Sequence, residues 1–157
     1  MGNVQMRGKL KRIGLVLMAL LVVAFVGIQL APYGRPTANP PIRREPNWDT
    51  PRTRELAARA CFDCHSNQVR YPWYSYVAPV SWLVTHDIEE ARLKMNFSEW
   101  DLPQREAMQA TEEIEKGSMP LPIYLPLHPE ARLSESEKQE LIHGLEATFA
   151  ADRPRRR

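Results

Sequence analysis

Both cysteines of the chain fall inside one pentapeptide, Cys61-Phe62-Asp63-Cys64-His65. Two thiols three residues apart, on roughly one helical turn, can reach the two vinyl groups of a single porphyrin. The next residue then brings an imidazole under the metal. A Cys-x-x-Cys-His run of this kind reads as a covalent attachment site for c-type haem. It predicts one haem per chain, with Cys61 and Cys64 forming the thioethers and His65 as the proximal iron ligand. Iron held by a protein imidazole is a redox centre whose second ligand sets what it does. Electron transfer is therefore the first expectation.

Other chemistries use the same spacing. Cys-x-x-Cys is also a redox-disulfide motif and half of a zinc site. A structural zinc site takes four ligands, and here there is no second cysteine pair, while His86, His128 and His143 are scattered. A thioredoxin-like dithiol needs a βαβ setting, and the flanking sequence reads as helical. The plainest alternative is a haem-free anchored protein with a disulfide.

The run Ile13 to Ala31 is 19 residues without a charge, close to the ~20 that a membrane-spanning helix needs. Arg7, Lys9, Lys11 and Arg12 precede it with no acidic residue among them. The positive-inside rule then keeps the N-terminus in the cytoplasm and exports the rest. A cleaved signal peptide would have a shorter apolar core and a small-x-small end. Gly27-Ile28-Gln29-Leu30-Ala31-Pro32 offers no convincing Ala-x-Ala, so an uncleaved anchor is favoured. The expected location is a bacterial inner membrane, single-pass, with the C-terminal domain in the periplasm.

Charge is segregated along the chain. Four basic residues precede the apolar run and four (Arg153, Arg155, Arg156, Arg157) end the sequence. Without those eight, 13 of the 21 basic residues face all 19 acidic ones, a balance of about −6. An acidic exported domain argues against a nucleic-acid partner. It favours encounter with a basic patch on a redox partner protein, although an ordinary solvated surface has the same composition.

Five organisational segments follow: a cytoplasmic basic tail (1–12), a transmembrane anchor (13–31), a proline-rich linker (32–50), a haem-binding domain (51–150) and a basic tail (151–157). The linker carries five prolines and reads as a stiff, extended spacer. Thr50 as N-cap and Pro51 at the first position open a helix that runs through the pentapeptide. The loop Ser66 to Pro79 holds Tyr71, Trp73, Tyr74 and Tyr76, rings suited to wall a haem. Helices are expected over Val80 to Lys94 and Pro103 to Lys116, with Asn96-Phe97-Ser98-Glu99-Trp100 between them and Gly117 as a stop. Ser134 and Glu137 make a capping-box pattern, followed by a buried stripe of Leu141, Ile142, Leu145 and Phe149. The Arg-rich end reads as a frayed tail.

Between the last two helices, Gly117 to Pro129 contains four prolines in 13 residues. A thioether sulfur binds iron poorly unless it is held, and a proline-rich loop holds it. Met119 is the expected distal ligand, and His/Met ligation raises the reduction potential relative to His alone. His128, His86 and an open or water-bound sixth site are the competitors. Met95 and Met108 read as core, His143 as a surface or packing residue.

The order of helix, CFDCH, aromatic loop, helices, SMP loop and LSESEKQELIHGL helix resembles the small single-haem cytochrome c fold. That resemblance implies an all-α, cytochrome c-like haem domain behind a single N-terminal transmembrane helix. In that family the distal methionine commonly precedes a C-terminal helix that crosses the N-terminal one. More narrowly, ACFDCHSNQVRYPWYSYVAPVSWLV, NFSEW and GSMPLPIYLPLHPEARLS are similar to the bacterial haem-binding-domain family, over about residues 45 to 147. Its members are anchored or exported proteins often linked with cytochrome c and di-haem peroxidase modules. The implied role is a membrane-anchored electron carrier rather than an enzyme. The alternative is a haem-based sensor or peroxidase accessory module with an open sixth iron site. About 54 residues separate His65 from Met119, a departure from the commonest small cytochromes that bears on the distal ligand.

Overall fold

The computed structural model describes residues 2–36 and 38–155. Its helices are α1 (Gly2–Ile28), α2 (Pro51–Ala60), α3 (Phe62–His65), α4 (Val80–Lys94), α5 (Ala110–Glu115) and α6 (Glu135–Ala151). Short 3-10 turns lie at Trp73–Tyr76, Ala107–Gln109, Leu125–Leu127 and Pro129–Ala131. Among the described residues there is no strand, only an isolated bridge between Arg44 and Glu99. The all-α class expected from the sequence is the observed one.

The chain divides into two compact units: Met1–Pro36 with Pro72–Thr85, and Thr37–Tyr71 with His86–Arg157. In the first, α1 carries a candidate span Met6–Ile28 of 23 residues, whose most apolar 18 consecutive residues have a mean hydropathy of 2.2, with none of them buried. It is long and apolar enough to cross a membrane. Beyond its end, the Gln29 side-chain amide pairs with the backbone of Ala78. Nε2 donates to the carbonyl at 3.1 Å, and Oε1 accepts from the N–H at 2.9 Å. That pairing closes the unit without a strand.

The second unit is built on α2 and α6. Thr50 caps α2 by accepting from the N–H of Thr53, with Pro51 in the first turn. The single helix expected to run through the pentapeptide breaks instead at Cys61, whose φ of −125° and ψ of −32° leave the helical basin. The break turns Phe62 into the core, 5.6 Å from Phe97 and 6.1 Å from Trp48 between ring centroids. At the other end of the unit, Ser134 and Glu137 form both halves of the capping box that opens α6. Leu141, Ile142, Leu145 and Phe149 are buried as the stripe predicts, and α6 packs against α2 and α5.

Four expectations need correction. The stretch 32–50 is not a free spacer. From Asn39 onward it belongs to the second unit. Arg43 and Arg44 donate backbone N–H groups to Ser98 O at 2.9 and 3.1 Å, Trp100 N returns a bond to Arg44 O, and the Trp48 ring joins the core. Its prolines remove donors, but the N–H groups of Arg43 and Arg44 still pair with Ser98 O and that of Asn47 with Asp152 Oδ2. The helix over 103–116 is shortened to α5 and the turn before it. Gln104 is buried, its N–H donates to Arg155 O, and its side chain donates to Glu99 O and Leu102 O. A side chain that satisfies loop carbonyls in this way competes with helix formation. The tail is not frayed through Arg155, because Trp100 Nε1 donates to Asp152 O at 3.0 Å and Pro154 is buried. Arg156 and Arg157 lie outside the described residues. Met108 is 48% exposed and not core, whereas Met95 is buried.

Glu137 also joins α6 to α2. One carboxylate oxygen accepts from Arg59 Nη1 at 2.6 Å and from Arg52 Nη2 at 3.2 Å. The Ser134 N–H, then the Arg59 guanidinium, hold its carboxyl down from the ordinary 4.5 to about 2. A depressed folded-state pKa stabilises the fold above the unfolded value and ceases to do so as pH falls through the folded one. We expect Glu137→Gln to lower the melting temperature slightly at pH 7. Its deficit relative to wild type should shrink between pH 4.5 and 2, as a thermal-melt series over that range would register.

Candidate functional site

Two cavities of about 280 and 180 Å³ border the pentapeptide, and Cys61, His65 and Met119 line both. Cys64 lines the smaller one. The larger is walled by Met95, Phe97, Ile114, Leu133, Leu141 and Leu145. α6 and α5 thus turn their apolar faces to the same space that receives the first thiol and the imidazole. The aromatic lining of the two cavities is Phe97 and Tyr124, rather than the loop of Tyr71, Trp73, Tyr74 and Tyr76.

The two thiols are free and half-buried. Burial pushes both up to about 12, with the negative charge of the other cysteine adding to Cys61 and that of Asp63 to Cys64. Redox dithiols work through a depressed thiolate pKa, and these environments act the other way.

His65 is fixed by backbone on two sides. Its Nδ1 lies 3.0 Å from Met95 O, and its own carbonyl accepts from Phe97 N at 2.8 Å. A carbonyl only accepts, so Nδ1 carries the proton and the Nε2 lone pair is left for a metal. Burial holds the ring below the ordinary histidine value, against the Met95 and Ala91 carbonyls, which keeps it neutral at pH 7. The clamp depends on the Asn96–Trp100 turn. The turn is locked by buried polar bonds from Asn96 Nδ2 to Asn67 Oδ1 and from Asn67 N to Ser98 Oγ, both 2.9 Å. The sequence marks this turn as a helix break. Its hold on His65 runs through backbone groups, the Phe97 N–H and the Met95 carbonyl just before the turn, which leave no side-chain pattern to read.

Met119 is delivered by the end of α5. Gly117, at φ +72°, takes the left-handed conformation that glycine adopts without strain. Gly117 N bonds Ile114 O at 3.0 Å and Ser118 N bonds Glu113 O at 3.1 Å, the two bonds of a Schellman motif. Met119 N then shares the Glu113 carbonyl at 3.1 Å. The competing histidines lie elsewhere. His128 is buried and stacks on Tyr124 with centroids 3.7 Å apart, its Nδ1 3.1 Å from Glu130 Oε1. His86 is exposed, and so is His143.

An apolar slot that offers two thiols, an imidazole with a free lone pair and a thioether has the donor set of a haem site. The sequence profile of a family described as a haem-binding domain matches residues 23–147. The chain belongs to the haem-binding-domain family. The match includes every residue of the candidate site and the last six residues of α1. No curated protein and no solved structure matched the chain. In this haem-binding-domain protein the thiols, imidazole and thioether gather where α2, α3, α5 and α6 line the cavities, and the residues present suit a porphyrin. One site residue is unmarked in the sequence: Tyr124, whose Oη donates to Asp63 Oδ2 at 2.7 Å. Burial and then Asp63 raise its phenol above the ordinary value, so it stays a donor.

Proposed function

We propose that this chain is a membrane-anchored, single-haem c-type cytochrome that carries electrons on the periplasmic face of a bacterial inner membrane. Cys61 and Cys64 hold the porphyrin through thioethers, His65 binds its iron through Nε2, and Met119 is the distal ligand. Haem, when bound, supplies one-electron exchange at its iron. The chain's own residues orient the two ligands and exclude water with the walls contributed by α5 and α6. Neither ligand has to leave for outer-sphere transfer, so the role is a carrier rather than a catalyst. α1 serves as the anchor, with Arg7, Lys9, Lys11 and Arg12 on the cytoplasmic side. The acidic middle of the chain favours a redox partner with a basic patch.

The observation that carries this reading is the shared lining. Cys61 and His65 of the pentapeptide, and Met119, 54 residues beyond His65, border the same pair of cavities. The test is haem staining on a denaturing gel, using full-length protein expressed in a host able to attach haem. Wild type should stain at its own mass, and the double variant Cys61→Ser, Cys64→Ser should not. A colourless wild-type band, or pigment released into acidified organic solvent, overturns covalent attachment. For the distal ligand, ferric wild type should have a weak sulfur-to-iron band at the red edge of the visible spectrum, absent in Met119→Ala. If the band is missing and the ferrous protein takes up carbon monoxide readily, the sixth site is open and the sensor or accessory reading replaces the carrier.

A further inference from the structure

The loop that carries Met119 is tied down at both ends by different parts of the fold. Its start is held by the Glu113 carbonyl, which accepts from the N–H groups of Ser118 and Met119. Five residues beyond Met119, Tyr124 reaches the pentapeptide itself. Its hydroxyl donates to Oδ2 of Asp63, the residue directly before Cys64. Oδ1 of the same carboxylate accepts from the backbone N–H of Arg70 at 3.1 Å, so the acceptor is itself held. Tyr124 is backed by the parallel ring of His128, tilted by only 8°, and it lines the smaller cavity together with Met119 and Cys64.

We propose that the Tyr124–Asp63 hydrogen bond is a latch that keeps Met119 over the iron. Tyr124 is a positioning residue: it spans from the distal loop to the haem-attachment segment and acts through the loop. The latch rests on the reading of Met119 as distal ligand. Its logic is geometric. A weak thioether ligand stays bound only while the loop behind it stays seated, and this bond seats the loop on the segment whose cysteines fix the porphyrin. A bond to a charged acceptor is worth about ten- to a hundredfold in an equilibrium constant, enough to set how often Met119 leaves.

The test uses full-length, haem-loaded protein and two readouts: the red-edge sulfur-to-iron band of the ferric form and the carbon monoxide association rate of the ferrous form. Tyr124→Phe removes the hydroxyl and keeps the ring on His128. It should raise the carbon monoxide rate about ten- to a hundredfold and weaken the ferric band, while the gel haem stain is retained. Asp63→Ala should act the same way. Adding Tyr124→Phe to Asp63→Ala should change nothing further, because the shared bond is already gone. The latch is overturned if Tyr124→Phe matches wild type in both readouts while Met119→Ala loses the band and binds carbon monoxide fast. It is also overturned if the two substitutions multiply in the double variant. A Met119→Ala protein indistinguishable from wild type instead removes the ligation reading, and the latch with it. The unchanged Met119→Ala spectrum tells that case from the others.

Discussion

Trp100→Ala should cost about 3–5 kcal/mol, the range for truncating a large buried aromatic ring. Trp100 is 1% exposed. Its ring lies between Phe97 and Phe149, with centroids 5.9 and 5.2 Å away and interplanar angles of 12° and 23°. Its indole N–H donates to Asp152 O. The substitution therefore removes a ring from the middle of a stack and also orphans a carbonyl near the end of the chain. Small domains are stable by only about 5–15 kcal/mol, so the loss takes a large share of the total. The functional consequence runs through Phe97, which stacks on Trp100 and walls the larger cavity. Trp100→Phe keeps a ring and loses the hydrogen bond, about 1 kcal/mol. Urea unfolding of the three proteins should rank them wild type, Phe, Ala, with most of the gap between the last two. A Trp100→Ala midpoint near that of Trp100→Phe would contradict the stack as the source of stability.

How much of this was legible in the sequence depends on which part of a residue does the work. Where a side chain acts through its own chemistry at a fixed spacing, the pattern was readable. Cys61, Cys64 and His65 form one motif, Ser134 and Glu137 form one cap, and Gly117 marks one helix stop, completed by the backbone bonds that hold Met119. The helix Val80–Lys94 has the bounds its composition implies. Where the backbone does the work, the sequence was silent. The carbonyls of Met95 and Glu113 hold His65 and Met119, and any residue type has a carbonyl. Residues 39–50 read as a linker because they are rich in proline and polar groups. Their partners are the backbone of Ser98 and the side chain of Asp152, more than 50 residues away. Tyr124 was hidden for a related reason. Its partner Asp63 sits 61 positions earlier, and a lone tyrosine in a proline-rich loop carries no periodicity.

The second large effect lies at the crossing of α2 and α6, where Gly144 is pressed against Thr53. A Cβ built on Gly144 would stand 2.1 Å from Thr53 Oγ1, 2.6 Å from its Cγ2 and 2.9 Å from its Cβ. Thr53 cannot step aside. It is β-branched and 2% exposed, and its hydroxyl is 2.9 Å from that of the N-cap Thr50. Overpacking of this kind costs about 1–3 kcal/mol, whereas alanine in place of glycine inside a helix gains about 1 kcal/mol. We expect Gly144→Ala to destabilise on balance, and Gly144→Val, larger and β-branched, to destabilise more. The sign should reverse when the obstacle is removed. In a Thr53→Ala background, Gly144→Ala should become neutral or stabilising, because the helix gain survives and the clash does not. Chemical denaturation of the four proteins in this cycle gives the coupling directly. A cost that persists in the Thr53→Ala background would mean that Thr53 is not what forbids a side chain here. A coupling above 1 kcal/mol would identify the glycine as the residue that lets the first and last helices of the haem-binding unit approach closely enough to close the slot between them.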